Sequence, residues 1–285
     1  MSFTTYIESW SQTSPTTLVQ DMIAKGALTK NTRLVLAFAS FNFVDATYIP
    51  GLQHMTMSDV LNLVALVHAA GAQISLSVGG ATYGFANSDL YSEPGALAAN
   101  INAVLTSCGF DGVDFDIEDP SSTVPADFAN QAASIINTLR SINPTLYITL
   151  TTPAQAWAPD MYQQNLLNLT ITNLDAWQPM EYDLWLDPAN TYPNQILWDL
   201  NFYMTTWAVP SDKIILGLMP GHDDEDHLLT LQDALNITAQ AKVQGLMTWD
   251  INIDSKGIDG NAPYAYTMGI QSLLKKTQPS CCAIV

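Results

Sequence analysis

Short stretches rich in branched and aromatic apolar residues recur along this chain, and longer stretches with apolar residues at three- and four-residue spacing separate them. The first kind is typical of buried parallel strands, and the second is typical of amphipathic helices. Val60, Leu63, Val64 and Val67 form one such helical stripe. The pattern predicts helices at residues 57–70, 95–105 and 125–142. It predicts strands at residues 4–10, 33–41, 73–79, 112–118, 146–152, 176–183, 213–219 and 245–250.

Eight strand–helix repeats in a chain of this length favour an α/β fold of the closed (β/α)8 type, the TIM barrel. We expect a single domain, with the barrel at residues 1–275 and a short C-terminal tail at residues 276–285. Residues 220–244, between the last two predicted strands, leave room for one loop and one helix. Because chemistry in such barrels lies at the carboxyl ends of the strands, candidate site residues are sought there.

The composition indicates a well-packed globular protein with a strong negative charge. Hydrophobic residues make up 48% of the chain and charged residues 13%, and the formal net charge is −18, from 27 acidic and 9 basic residues. This charge argues against nucleic acid and anionic lipid as partners. A neutral substrate is more compatible with this negative charge than a polyanion is. No apolar run reaches the ~18 residues that a membrane span needs.

The cysteines and the N-terminus bear on cofactors and location. Cys108, Cys281 and Cys282 are the three cysteines, and they imply no disulfide framework. The chain has no CxxC or HExxH spacing, so we expect no metal and no cofactor. The first residues lack a basic region followed by an apolar one, as a signal peptide would have. We therefore predict a cytoplasmic protein, with secretion after removal of a leader as the alternative.

The C-terminus offers a possible membrane anchor. Cys282 stands fourth from the end, as in the prenylation pattern, and Cys281 before it is a candidate for palmitoylation. Two lipids anchor a protein stably, whereas one does so only marginally. Membrane attachment is therefore expected only if Cys282 is lipidated, and this reading excludes the secreted one.

Acidic and apolar residues alternate in the predicted strand at residues 112–118. Because successive side chains of a strand point to opposite faces, two sets arise: Asp114, Asp116 and Glu118 on one face, and Val113, Phe115 and Ile117 on the other. Carboxylates this close raise one another's pKa and share a proton, which keeps one of them available as a general acid. A calcium site or a solvent-facing polar strand is the alternative.

These residues carry a resemblance to a known family. Residues 111–118, with the sequence DGVDFDIE, match the DGxDxDxE signature of the family 18 glycoside hydrolases, which include chitinases and endo-β-N-acetylglucosaminidases. Four further segments resemble family motifs in the family's order, and the similarity extends from about residue 4 to 275. They are SVGG at 77–80, YITLTTPAQ at 147–155, QPMEYD at 178–183 and GLMTWD at 245–250.

The resemblance implies a mechanism in which the substrate's own 2-acetamido group attacks the anomeric carbon, with net retention. Glu118 would protonate the glycosidic oxygen and then activate water. Asp116 would accept a hydrogen bond from the acetamido N–H, and Asp114 would hold Asp116 and share its proton. Tyr182 would donate its hydroxyl to the acetamido oxygen; a core aromatic is the alternative reading for this residue.

The resemblance also suggests residues that bind the sugar. They are Gln178, Met180, Asp183, Trp249, Gly79 and Gly80. Trp249 would stack under the reacting sugar, or else fill the barrel, and the two glycines would allow close approach or simply a sharp turn. Further subsites could use other tryptophans, namely Trp10, Trp157, Trp185, Trp198 and Trp207.

The segment HDDEDH at residues 222–227 has the residue types of a metal cluster. Acidic residues at a helix start, however, complement the helix dipole without any ligand. We therefore interpret it as a solvated helix start and predict no metal there.

Taken together, the sequence predicts an endo-acting chitinase that cleaves β-1,4 bonds between N-acetylglucosamine units. Many relatives carry an extra α/β domain between strands seven and eight. This chain has no room for that domain, so we expect an open groove. The alternative is an endo-β-N-acetylglucosaminidase acting on the chitobiose core of N-glycans, and a third reading is an inactive chitin-binding lectin. The expected partner is a polysaccharide or glycan containing N-acetylglucosamine, and the expected state is a monomer.

Overall fold

The chain closes into a parallel eight-stranded barrel. The computed structural model describes residues 2–120, 122–154, 162–182, 184, 186–223 and 226–277. The barrel strands follow in the order β1-β10-β7-β6-β5-β4-β3-β2, so that β1 pairs with both β2 and β10. Their bounds are β1 Ser2–Glu8, β2 Thr32–Ala39, β3 Gln73–Gly79, β4 Gly112–Asp116, β5 Tyr147–Pro153, β6 Ala176–Met180, β7 Ile215–Leu218 and β10 Gly245–Thr248.

Helices connect the strands, as the parallel arrangement requires. They are α1 Pro15–Lys25, α2 Met57–Ala69, α3 Pro94–Cys108, α4 Phe128–Ile142, α5 Tyr162–Thr170, α6 Tyr192–Thr205, α7 Leu231–Gln240, α8 Ile251–Asp254 and α9 Ala265–Thr277. Local sequence fixes several starts. Helix α2, for example, begins with a capping box, in which Thr56 and Asp59 satisfy each other's backbone amides. The predicted single-domain TIM barrel is confirmed.

Several strands end earlier than the sequence pattern suggests. The predicted strands run to Glu118 and to Asp183, but β4 ends at Asp116 and β6 at Met180. The pattern of polar and apolar residues does not reveal where the backbone leaves the sheet.

The connection between β7 and β10 holds no additional domain, as predicted. It contains helix α7 and a two-stranded hairpin formed by β8 Gly221–His222 and β9 Leu228–Leu229. The hairpin corrects the interpretation of this segment as a helix start, because His222 lies in β8 and helix α7 begins only at Leu231.

The barrel has two apolar regions, one inside the sheet and one between the sheet and the helices. The inner region is small and consists of Tyr6, Val35, Ala37, Ala176, Met180, Tyr182, Ile215 and Met247. The outer region is much larger, and the apolar faces of the helices supply most of it. Because the interior of the barrel is filled by side chains, only its mouth is open for a ligand.

The C-terminal helix α9 runs to Thr277 and thus extends into the predicted tail. Cys281 and Cys282 lie outside the described residues, so the expected lipid anchor stays a prediction. Within the part of the chain that the structure describes, no helix combines the length and the apolar character needed to cross a bilayer.

Gly79 allows β3 and β4 to approach each other closely at the barrel mouth. Its φ is +118°, and a Cβ there would collide with the carbonyl oxygen of Asp116. We expect Gly79→Ala to lower the free energy of unfolding by about 3 kcal/mol, from strain and overpacking. Chemical denaturation measures this loss.

Gly95→Ala is the matched control, because a Cβ at this position in α3 meets nothing within 4 Å. We expect that variant to be as stable as the wild type or slightly more so, since alanine favours a helix over glycine. Equal stability of the two variants would contradict the account of Gly79.

Candidate active site

The centre of the barrel mouth is the buried carboxylate of Asp114, which is 0% exposed. Strand register places Ser77 of β3 and Thr149 of β5 directly beside it. Its oxygens accept five hydrogen bonds, from the Tyr6 hydroxyl (2.7 Å), the Ser77 hydroxyl (2.7 Å), the Thr149 hydroxyl (2.7 Å), the Thr151 hydroxyl (2.8 Å) and the Gln178 amide (3.1 Å). Burial raises the pKa of Asp114, and the hydroxyl donors oppose this shift. This donor set is suited to a carboxylate.

Asp116, two residues on, is buried to 2% exposure and has a different environment. Burial, the charge of Glu118, the charge of Asp114 and a hydrogen bond with Glu118 together raise its pKa well above the ordinary value. Two carboxyl groups can share a hydrogen bond only if one is protonated. The sequence interpretation places the shared proton between Asp114 and Asp116, whereas the hydrogen-bonded partner in the structure is Glu118. The other oxygen of Asp116, Oδ1, is buried without a hydrogen-bond partner.

A cleft of about 400 Å³ opens above this pair. The described residues that line it come from the segments after six of the strands and from the strand ends themselves. They are Trp10, Phe38, Gly51, Gln53, Ala81, Thr82, Tyr83, Asp116, Glu118, Met180, Tyr182 and Trp249. The cleft therefore combines two carboxyl groups with several aromatic rings.

The aromatic rings form one wall of the cleft. Trp249 lies against Phe38, with ring centroids 5.5 Å apart and planes 13° apart, and against Tyr6 at 5.4 Å. Trp10 continues the row, stacked on Phe38 at 5.7 Å. Trp249 is half-buried, so packing holds its indole in place while part of it faces the cleft. Both readings of Trp249, cleft wall and barrel filling, thus describe part of its environment.

The predicted catalytic residues Asp114, Asp116, Glu118 and Tyr182 come together at the barrel mouth. Tyr182 and Met180 both line the cleft, as expected for residues two positions apart, which point to the same side of an extended segment. Gln178 lies deeper and donates to Asp114 and to Thr151.

Gly79 and Gly80 also lie behind the described lining. They make room for the Asp116 carbonyl and for the Phe38 ring, which a Cβ at Gly80 would approach to 2.8 Å. Asp183 lies outside the described residues, so its role as a sugar ligand stays a prediction.

Sequence reasoning assigned no role to four of the five residues that hold Asp114, and Gln178 is the fifth. Tyr6 is far away in the chain, and Ser77, Thr149 and Thr151 are polar residues on otherwise apolar strands. The available signal was their spacing, because residues two apart on a strand share one face. Thr149 and Thr151 pair in register with Asp114 and Asp116.

The other candidate tryptophans are dispersed. Trp207 packs on Trp177 at 6.0 Å and on Tyr203 at 5.1 Å, away from the cleft. Trp198 stacks on Phe202 and is 47% exposed on α6. Trp157 and Trp185 lie outside the described residues. Among the candidates that the structure describes, the cleft thus uses Trp10 and Trp249.

The histidines of the hairpin pair with nearby carboxylates. His222 Nδ1 lies 2.9 Å from Asp226 Oδ1, and His227 Nδ1 lies 3.0 Å from Asp223 Oδ2. The described residues, which omit 224 and 225 of this hairpin, contain no cluster of three side chains able to hold a metal ion.

Hydrogen-bonded carboxyl groups at the mouth of a (β/α)8 barrel, in a cleft with an aromatic wall, are the arrangement of a barrel glycosidase. The chain belongs to the glycosyl hydrolases family 18, because the model of that family matches residues 2–223. The resemblance stated from the motifs is thereby confirmed. Trp249, directly after β10, lies beyond the matched segment.

Several solved structures with a similar fold are chitinases. Active domain 2 of the thermostable chitinase from Pyrococcus furiosus superposes with a TM-score of 0.75 at 17% identity, over 98% of this chain and 96% of that one. A chitinase from Pseudoalteromonas aurantia gives 0.74 at 19% identity, over 96% and 100%. The Group IV chitinase of Ostrinia furnacalis gives 0.73 at 16% identity, over 96% and 98%. At these identities the likeness establishes the shared fold.

Further buried acids surround the cleft. Asp250 follows Trp249 and is 0% exposed; burial and the charge of Glu8 raise its pKa to about 8, against a smaller opposite effect of Lys256. Behind β6, burial raises the pKa of Asp199 to about 6. Burial and the charge of Asp199 also raise the pKa of Glu181. The folded protein therefore holds protons that the unfolded chain would release above about pH 4.

This proton uptake predicts how stability depends on pH. A folded state that binds more protons than the unfolded state loses stability as pH rises, by up to about 1.4 kcal/mol per pH unit for each proton. We expect the melting temperature to be highest near pH 5 and to fall toward pH 8, where Asp250 ionises. Differential scanning calorimetry across this range measures the fall.

Asp250→Asn is the variant that isolates one group, because its amide oxygen can still accept from the Ile253 amide, as Asp250 Oδ1 does at 2.8 Å. The variant should lose part of the decline between about pH 6 and 8. An unchanged decline would show that Asp250 does not hold a proton in the folded state.

Proposed function

We propose that this glycosidase is an endo-acting, retaining chitinase, which hydrolyses β-1,4 bonds between N-acetylglucosamine units with the help of the substrate's 2-acetamido group. The observation that carries the proposal is the hydrogen-bonded pair of carboxyl groups, Asp116 and Glu118, in an open cleft beside an aromatic wall. The family membership and the chitinase fold neighbours support the substrate class.

The arrangement of carboxyl groups favours substrate assistance over a protein nucleophile. A retaining glycosidase with its own nucleophile places two carboxyl groups about 5–5.5 Å apart, on either side of the anomeric carbon. Among the described lining residues the carboxyl groups are Asp116 and Glu118, which lie next to each other and are hydrogen-bonded. Such a pair suits proton transfer better than attack from the opposite face.

The proposed reaction starts with proton transfer. Glu118 gives its proton to the glycosidic oxygen as the bond from the anomeric carbon to the leaving sugar breaks. The acetamido carbonyl oxygen forms the new bond to the anomeric carbon, which yields an oxazolinium ion. Glu118, now ionised, takes a proton from water as that water opens the ion with net retention.

The neighbours of Glu118 stabilise the charge that develops. Asp116 turns toward the acetamido N–H when Glu118 gives up its proton, and its unpartnered Oδ1 is available as an acceptor. Asp114 remains fixed by its donors and keeps the local potential negative, which favours the cation. Tyr182 orients the acetamido oxygen for attack.

Replacement of the acid tests the assignment directly. We expect Glu118→Gln to lower kcat by about 10²–10⁴, the usual effect of losing a general acid, without loss of fold or of oligosaccharide binding. Glu93→Gln, the same change at an exposed glutamate, should behave like the wild type. Mass analysis of the products from chitotetraose and chitopentaose is the measurement.

The products also separate the proposal from its alternatives. Dimer and trimer from the wild type, but not from Glu118→Gln, support an endo-chitinase. Intact oligomers with cleaved high-mannose glycopeptides would support an endo-β-N-acetylglucosaminidase. A protein that binds the oligomers and cleaves neither substrate would be a lectin.

The carboxyl pair also predicts a bell-shaped dependence of kcat/KM on pH, with an acidic optimum. Glu118 acts as an acid only while the pair holds its shared proton, so activity falls as pH rises and this proton is lost. Uptake of a second proton at low pH removes the charge needed in the transition state. Initial rates at constant ionic strength measure the profile; a flat one across about pH 4–8 would contradict this role of the pair.

A further inference from the structure

The residue after the proposed acid, Asp119, is buried to 5% exposure, although the proposed chemistry does not use it. Its carboxylate accepts hydrogen bonds from two consecutive backbone amides, Phe85 N to Oδ2 and Ala86 N to Oδ1, both at 2.9 Å. Bonds of this kind to a charged acceptor are about twice as strong as neutral ones. Asp119 therefore fastens the segment that bears Glu118 to the loop after β3.

That loop forms part of the cleft. The two bonded amides belong to a short 3-10 helix, Phe85–Asn87, and the residues just before it line the cleft, namely Ala81, Thr82 and Tyr83. Gly84 separates the two groups. A Cβ there would come within 2.7 Å of Asp119 Oδ1, so the close approach of the carboxylate requires glycine at this position.

The same loop is tied on its other side to the loop between β2 and α2. The Tyr83 hydroxyl donates to the carbonyl oxygen of Gly51 at 3.0 Å, and Gly51 and Gln53 line the same cleft. The loop at residues 81–87 thus bridges the segment after β4 and the loop after β2. One wall of the cleft depends on both attachments.

We propose that Asp119 is a positioning residue, which holds the loop at residues 81–87 beside Glu118 and so sets the shape of the glycan-binding cleft. The proposal rests on the proposed function for the identity of the ligand. Without Asp119, the loop would have to be ordered each time the substrate binds, and this entropic cost lowers affinity. The rate of proton transfer by Glu118, and therefore kcat, would change less.

The fold should survive the loss of Asp119, because aromatic packing anchors the loop independently. Phe85 contacts Phe41, Tyr91 and Phe128, with ring centroids 5.1, 4.9 and 5.7 Å away. We expect Asp119→Ala to raise KM for chitopentaose about tenfold or more and to change kcat much less. Hydrogen exchange of a peptide covering residues 81–88 should become faster.

Asp254 offers a matched control at a site remote from this loop. It is 1% exposed, and its carboxylate accepts from two consecutive amides in the same way, Tyr266 N at 3.2 Å and Thr267 N at 2.8 Å. Asp254→Ala should lower the melting temperature as Asp119→Ala does. It should leave KM and the exchange of residues 81–88 unchanged.

Tyr83→Phe tests the second attachment without removing any packing. It should raise KM a few-fold, and the double variant with Asp119→Ala should raise KM by less than the product of the single effects, because both bonds hold the same loop. Independent, multiplying effects would contradict a shared loop.

Two failures can be told apart. A wild type that cleaves no chitin oligomer overturns the proposed function, and with it the glycan part of this proposal. An active Asp119→Ala variant with unchanged KM, or with unchanged exchange of residues 81–88, overturns the role of Asp119 alone.

Discussion

The buried charge of Asp114 is the constraint on which the barrel mouth depends. A carboxylate removed from water is tolerated only when donors surround it. Here the donors come from four strands, namely β1 with Tyr6, β3 with Ser77, β5 with Thr149 and Thr151, and β6 with Gln178. The charge thus selects the register of strands that are remote in sequence. In return, the closed barrel supplies the donors that stabilise the buried charge of Asp114.

This fixed charge acts on the neighbouring carboxyl group of Asp116. Burial and the charge of Glu118 raise the pKa of Asp116, and the charge of Asp114, which its donors hold in place, raises it further. The proton is therefore held between Asp116 and Glu118, at the point where the cleft begins. In the proposed mechanism Asp114 acts through electrostatics, because its own oxygens are occupied by donors from the barrel.

The sequence predicts what depends on local pattern and misses what depends on register. Short runs of apolar residues predict the eight buried strands, and alternation over a few residues predicts the row of carboxylates. The structure confirms the barrel. Alternation could not reveal that Asp116 pairs with Glu118, because that depends on how the chain turns after β4 ends. Nor could it identify Tyr6 as a partner of Asp114, since the two meet only once the barrel closes. The hairpin of β8 and β9 was missed because these two strands are only two residues long.

The buried acids outside the cleft connect stability to the chemistry. Asp250 follows Trp249 in the chain, and Glu181 precedes Tyr182, so each is the sequence neighbour of a residue that lines the cleft. Burial raises the pKa of each, as it does for Asp116. In the proposed mechanism, the acid keeps its proton under the same acidic conditions in which these buried groups stabilise the fold. The pH dependence of stability and that of the proposed reaction thus share one cause, the burial of carboxyl groups near the strand ends.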